Sequence, residues 1–88
     1  MQTTFILRNL TEQTIQALVD MAPMDALQKL TKWAFGDLRH CVTVKYGSGA
    51  FRDRVEWNAI ICAQKPLSFK IESRRGYKLI TFKGGLKP

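Results

Sequence analysis

The chain has 88 residues, 45% of them apolar, and carries 14 Lys and Arg against 7 Asp and Glu, a net charge of +7. That length sets one domain, 1–88, near the lower limit of unaided folding, and chains of this size often gain stability by pairing, so a homodimer stays in view. Two cysteines, Cys41 and Cys62, with the one histidine, His40, cannot build a zinc cage, and no stretch approaches the ~20 apolar residues of a membrane span.

The opening MQTTFILRNL has neither a basic flank nor a long apolar run, so it does not read as a secretory signal. The expected setting is a reducing cytoplasm, with both cysteines as core thiols and no membrane partner. TTFILRN, residues 3–9, is rich in β-branched and apolar side chains and predicts a strand. The period then changes. Ile15, Leu18, Val19 and Ala22 recur at i, i+3, i+4 and i+7, which predicts a helix over 11–22. Asn9 or Thr11 supplies its cap, and with Asn9 in that role Glu12 would complete a capping box. Pro23 ends this helix or opens the next.

A second helix is predicted over 25–35, with Asp25 as cap, Leu27, Leu30 and Ala34 as the apolar row and Trp33 widening it. Gly36 is expected to stop it in a left-handed conformation. So little chain joins the two helices that they should form a tight pair or corner. From residue 40 the period drops to two. His40, Val42, Val44 and Tyr46 alternate with Cys41, Thr43 and Lys45. Residues 54–64 fit a strand, with Val55, Trp57, Ala59, Ile61 and Ala63 on one side, better than the alternative helix, whose row Phe51, Val55, Ala59 and Cys62 leaves Trp57 out.

FKIESRRGYKLITFK, residues 69–83, predicts a closing hairpin. A three-residue loop, Arg74-Arg75-Gly76, needs positive φ at its glycine alone, as a G1 bulge does. That register sets Ser73 against Tyr77 and Glu72 against Lys78, with Phe69, Ile71, Tyr77 and Leu79 sharing a face. The fold expected is therefore α+β: a strand, two short helices, then an antiparallel β-meander of about four strands over 40–83 and a flexible tail at 84–88. The helices should cover one sheet face and leave the other partly open.

Charge is uneven along the chain. Residues 1–64 hold 7 basic and 6 acidic side chains, whereas 65–88 hold 7 basic and only Glu72 acidic. A one-sided positive field attracts polyanions, DNA ahead of RNA, or an acidic protein. Chemistry of other kinds is missing: the chain has no glycine-rich phosphate loop, no poised carboxylate pair and no metal cluster, so neither enzyme activity nor a cofactor is expected. His40 and Cys41 are neighbours on a strand and should point apart. Arg74, Arg75, Tyr77 and Lys78 could still polarise a phosphate, which keeps a metal-independent ribonuclease as an alternative.

Three local resemblances accompany these residues. FILRNLTEQTIQAL, residues 5–18, resembles the opening of ribbon-helix-helix repressors and antitoxins, which implies Thr4, Ile6 and Arg8 as major-groove readers. KIESRRGYKLI, residues 70–80, is similar to the wing of OmpR-type winged-helix proteins, which implies Arg74, Arg75 and Tyr77 on phosphate or in the minor groove. FKIESRRGYKLITF is also similar to the central hairpin of RelE-type ribonuclease toxins. The expectation taken forward is a non-enzymatic nucleic-acid-binding protein with a role in transcription regulation. It would dock through Arg74, Arg75, Lys70, Lys78, Lys83 and Tyr77, with Arg8 joining under the ribbon-helix-helix resemblance. The competing expectation is a small inhibitor, of the kind mobile elements encode, that binds an acidic host protein.

Overall fold

Thr3–Leu7 forms strand β1, in which Thr3, Phe5 and Leu7 are buried while Thr4 and Ile6 are half-buried. The computed structural model describes residues 3–46, 49–50, 65–66 and 68–84; the strand expected over 54–64, the thiol of Cys62 and the tail beyond residue 84 lie outside them. β1 stops two residues short of its expected end because Asn9 takes a φ of 59°. Asparagine is among the few residues that tolerate this left-handed conformation, and it turns the chain from sheet to helix.

Helix α1, Glu12–Val19, is capped by Thr11, whose hydroxyl accepts a hydrogen bond from the Thr14 amide at 3.2 Å. The Asn9–Glu12 capping box therefore does not form. Glu12 instead lies in the first turn, where a carboxylate favours the positive end of the helix. The helix ends three residues earlier than its apolar stripe suggested. Ile15 and Leu18 are buried, but Val19 is 47% exposed and Ala22 has left the helix altogether. Proline explains this break. The residue before a proline is driven out of the helical region, and Ala22 accordingly sits at φ −62°, ψ 148° as the N-cap of the next helix.

Helix α2, Pro23–Ala34, thus begins with proline in its first turn, the place where a missing amide hydrogen costs nothing. Asp25, expected as the cap, lies inside that first turn. Ala26, Leu27 and Leu30 are fully buried, and Trp33 and Ala34 pack against them. Gly36 does not adopt positive φ, contrary to expectation. Its need for a missing side chain is steric: a Cβ there would stand 2.6 Å from the carbonyl oxygen of Lys32. The chain then turns through residues 35–41, where the Cys41 and Val42 amides both donate to the Leu38 carbonyl, at 2.8 and 3.0 Å. His40 is exposed and Cys41 packs at the core edge.

Four antiparallel strands follow: β2 (Val42–Tyr46), β3 (Gly49–Ala50), β4 (Ser68–Arg74) and β5 (Tyr77–Lys83). The α+β architecture is as expected, and the sheet order β3-β2-β1-β5-β4 adds what the sequence did not carry. The N-terminal strand is central. It pairs with β2 along one edge, Phe5 opposite Val44, and with β5 along the other, Phe5 opposite Ile80. The face of the sheet that carries Phe5, Leu7, Val42, Val44, Ile80 and Phe82 meets Ile15, Leu18, Ala26, Leu27 and Leu30 of the helices in one buried cluster. Each fully buried Leu or Phe in that layer contributes on the order of 2 kcal/mol from surface removed from water.

Candidate nucleic-acid interface

The closing hairpin turns on two residues. Arg74 lies opposite Tyr77, Ser73 opposite Lys78 and Glu72 opposite Leu79, so Arg75 and Gly76 alone form the loop. Gly76 has φ 85° and Arg75 does not share the positive value, the combination a type II turn requires. The expected three-residue loop is thus one residue too long, and the expected register is shifted by one. A one-residue slip exchanges the faces of a strand. Tyr77 and Leu79 consequently lie across from Arg74 and Glu72, on the face turned away from the helices, while Ile80 and Phe82 take the core side opposite Ile71 and Phe69.

This slip re-sorts the expected binding residues. Lys78 falls on the helix side. Its side chain is only 21% exposed, its ammonium lies 3.3 Å from the Glu12 carboxylate and donates to the Ser73 hydroxyl at 2.9 Å. Its ammonium therefore sits apart from the other expected cations. Lys70, Arg74 and Lys83 occupy the other face, helix-free among the described residues, where Lys70 and Arg74 are about half-exposed and Lys83 is exposed. Arg75 stands exposed at the turn. Arg8 leaves the end of β1 on the same side and lies over the Tyr77 ring, 5.7 Å from its centre, a cation–π contact that holds Tyr77 half-buried at the root of the hairpin.

One further cation belongs to this face. Lys45 is exposed on β2, opposite Thr4 of β1, in register with Thr81 of β5 and Lys70 of β4. Its position on the polar side of the His40–Tyr46 alternation was legible, but the central place of β1, which aligns β2 with the hairpin, was not. Arg8, Lys45, Lys70, Arg74 and Lys83 therefore face away from the helices together. Against these five cations stands one carboxylate, Glu72, which leaves +4 on this face among the described residues. The helical layer, residues 12–34, holds Glu12, Asp20, Asp25, Lys29 and Lys32, for −1.

Glu72 is the local restraint on that field. Its carboxylate accepts from the Arg74 guanidinium at 2.6 Å and lies 3.3 Å from the Lys70 ammonium. The Arg74 hydrogen bond, followed by that from Lys70, holds its pKa below the ordinary 4.5. Pairs as exposed as these exchange readily with other anions, because water has already weakened their attraction. Among the described residues no group of three or more His, Cys, Asp or Glu is placed to hold a metal ion, and no helix is long and apolar enough to cross a membrane. Comparison with protein-family models, with curated proteins and with solved structures finds no match to this chain.

Proposed function

We propose that the protein binds nucleic acid, DNA ahead of RNA, as a non-enzymatic regulator, and that it does so through the helix-free face of its sheet. The observation that supports this reading is the separation of charge, +4 on that face against a helical layer of −1 that Lys78, on the same side, brings to neutral. β2 and β4 are three strand spacings apart in the sheet, so Lys45 and Lys70 sit about 14 Å from each other, a scale comparable with the ~12 Å width of the DNA major groove. A sheet laid across a groove could thus meet phosphates on both sides. Thr4, Ile6 and Thr43, half-buried between them, offer hydroxyls and apolar contact to whatever lies beneath.

The ribbon-helix-helix route to DNA is not carried forward into this proposal. A ribbon of two β1 strands needs a free edge on each, and here β1 is paired along its full length on both sides. The test is a fluorescence polarisation titration with a mixed-sequence DNA duplex and a single-stranded RNA. Lys45→Glu/Lys83→Glu should abolish binding, whereas Lys29→Glu/Lys32→Glu on the helical layer should leave it within a few-fold. No micromolar binding of either nucleic acid at low salt would overturn the proposal and turn attention to an acidic protein partner for the same cations. Metal-free cleavage of the RNA, lost in Arg74→Ala, would point instead to a ribonuclease.

A further inference from the structure

β4 is the last strand in the sheet order and has no second neighbour among the described strands. In a two-residue hairpin the residues flanking the loop, Arg74 and Tyr77, form a hydrogen-bonded pair. Alternation along an antiparallel ladder then turns the backbone N–H and C=O groups of Phe69, Ile71 and Ser73 away from β5. On the helix side this edge borders a groove of about 410 Å³ lined by Val19, Met21, Pro23, Ser68, Phe69 and Ile71. Val19, at its rim, is the one large hydrophobic side chain among the described residues that stands exposed, at 47%. A strand edge without a second neighbour among the described residues, beside an apolar groove, is the arrangement to which another strand adds.

We infer that the occupant is a second copy of this chain, paired β4 to β4 about a two-fold axis through Ile71. Ile71 is the midpoint of Ser68–Arg74, so this register alone pairs all seven residues of the strand. It sets Lys70 against the partner's Glu72 and Glu72 against the partner's Lys70, two opposite-charge cross-strand pairs created by one symmetry operation. Ile71 meets the partner's Ile71 at a position whose backbone groups point outward on both chains, so each can bond the other. Sliding by two residues in either direction places Lys70 against the partner's Lys70, or Glu72 against the partner's Glu72. Sliding by one brings apolar residues opposite charged ones. Charge and alternation thus select a single register, and both helical layers end on the same side, with Val19 of each chain directed at the partner's half of the groove. The two helix-free faces merge into one sheet surface. This inference stands independently of the proposed function.

Sedimentation of the intact chain, with circular dichroism to confirm folding, tests it. The natural chain should form a dimer. Lys70→Glu sets a carboxylate against the partner's Glu72 at both contacts, and Glu72→Lys sets an ammonium against the partner's Lys70. Each variant alone should self-associate about tenfold more weakly or worse. Mixed in equal amounts, the two variants should recover the dimer as a heterodimer, because each reversed contact then faces its complement. The double exchange Lys70→Glu/Glu72→Lys should restore self-association within one chain. A natural chain that stays monomeric up to its solubility limit would overturn the inference, as would a dimer indifferent to both reversals or two variants that fail to recombine. Lys45 and Lys83 lie outside β4, so failure of the dimer and failure of nucleic-acid binding are read by separate variants.

Discussion

The register of the closing hairpin decides which side chains reach the helix-free face, and a double-mutant cycle on Phe69 and Phe82 tests it. The two residues are direct cross-strand partners on the core side, with ring centres 5.3 Å apart and planes inclined by 32°. Phe82 also meets Phe5 edge-to-face at 5.8 Å. Replacing either ring by leucine keeps most of the bulk and removes the ring–ring term, which is worth about 0.5–1.5 kcal/mol beyond buried area. Phe82→Leu should cost more than Phe69→Leu, because Phe82 is 4% exposed whereas Phe69 is only half-buried. Urea denaturation followed by circular dichroism should find the double variant less destabilised than the sum of the singles by about 0.5–1.5 kcal/mol. Phe69→Leu combined with Leu79→Ala should be additive, because those residues lie on opposite faces. The three-residue loop would reverse both results. A Phe69–Phe82 coupling within about 0.3 kcal/mol of zero would therefore refute the register and the sorting of Lys78 from Lys83 that follows from it.

Three more outcomes follow from the same geometry. Gly36→Ala should destabilise the fold by about 1–3 kcal/mol in the same denaturation assay, since the new Cβ would have to displace a backbone carbonyl 2.6 Å away. The Glu72 carboxyl, followed by NMR, should titrate below the ordinary 4.5, and Arg74→Ala should raise its midpoint more than Lys70→Ala does. Because the folded-state pKa is the lower one, its contribution to stability is complete above the unfolded value and is lost as pH falls through the folded value; Glu72→Gln should flatten that acid limb of the stability curve. Binding to duplex DNA should weaken with a log–log salt slope of roughly −4 to −5, from six cations with Arg75 included and one offset by Glu72, and Lys78→Ala should leave that slope unchanged.

The architecture was legible in the sequence because its signals were local. The change of period after Asn9, the proline between the helices and the alternation in Val42–Tyr46 each follow from a few adjacent residues. Pro23 also shows the limit of periodicity: the stripe Ile15, Leu18, Val19, Ala22 runs on in the sequence, but the proline drives Ala22 out of the helical region and leaves Val19 outside. The hairpin register was harder to read. Leu79 and Ile80 are adjacent apolar residues, so β5 presents hydrophobic positions to both faces and alternation within it does not choose between them. The choice is made by β1, whose Phe5 sits opposite Ile80 and draws the even-numbered residues of β5 into the core. That is a contact between the two ends of the chain, invisible to any local pattern. The same long-range pairing brings Lys45 into line with the hairpin and removes Lys78 from the expected cluster.

The most direct test of the proposed function is an NMR titration of the protein with a mixed-sequence DNA duplex. Shifts should concentrate on Thr4, Ile6, Lys45, Lys70 and Lys83, with the Arg8 and Arg75 side chains, and the amides of Glu12–Val19 and Met24–Ala34 should stay nearly still. Shifts centred on the two helices, or a spectrum that the duplex leaves unchanged at low salt, would contradict the account.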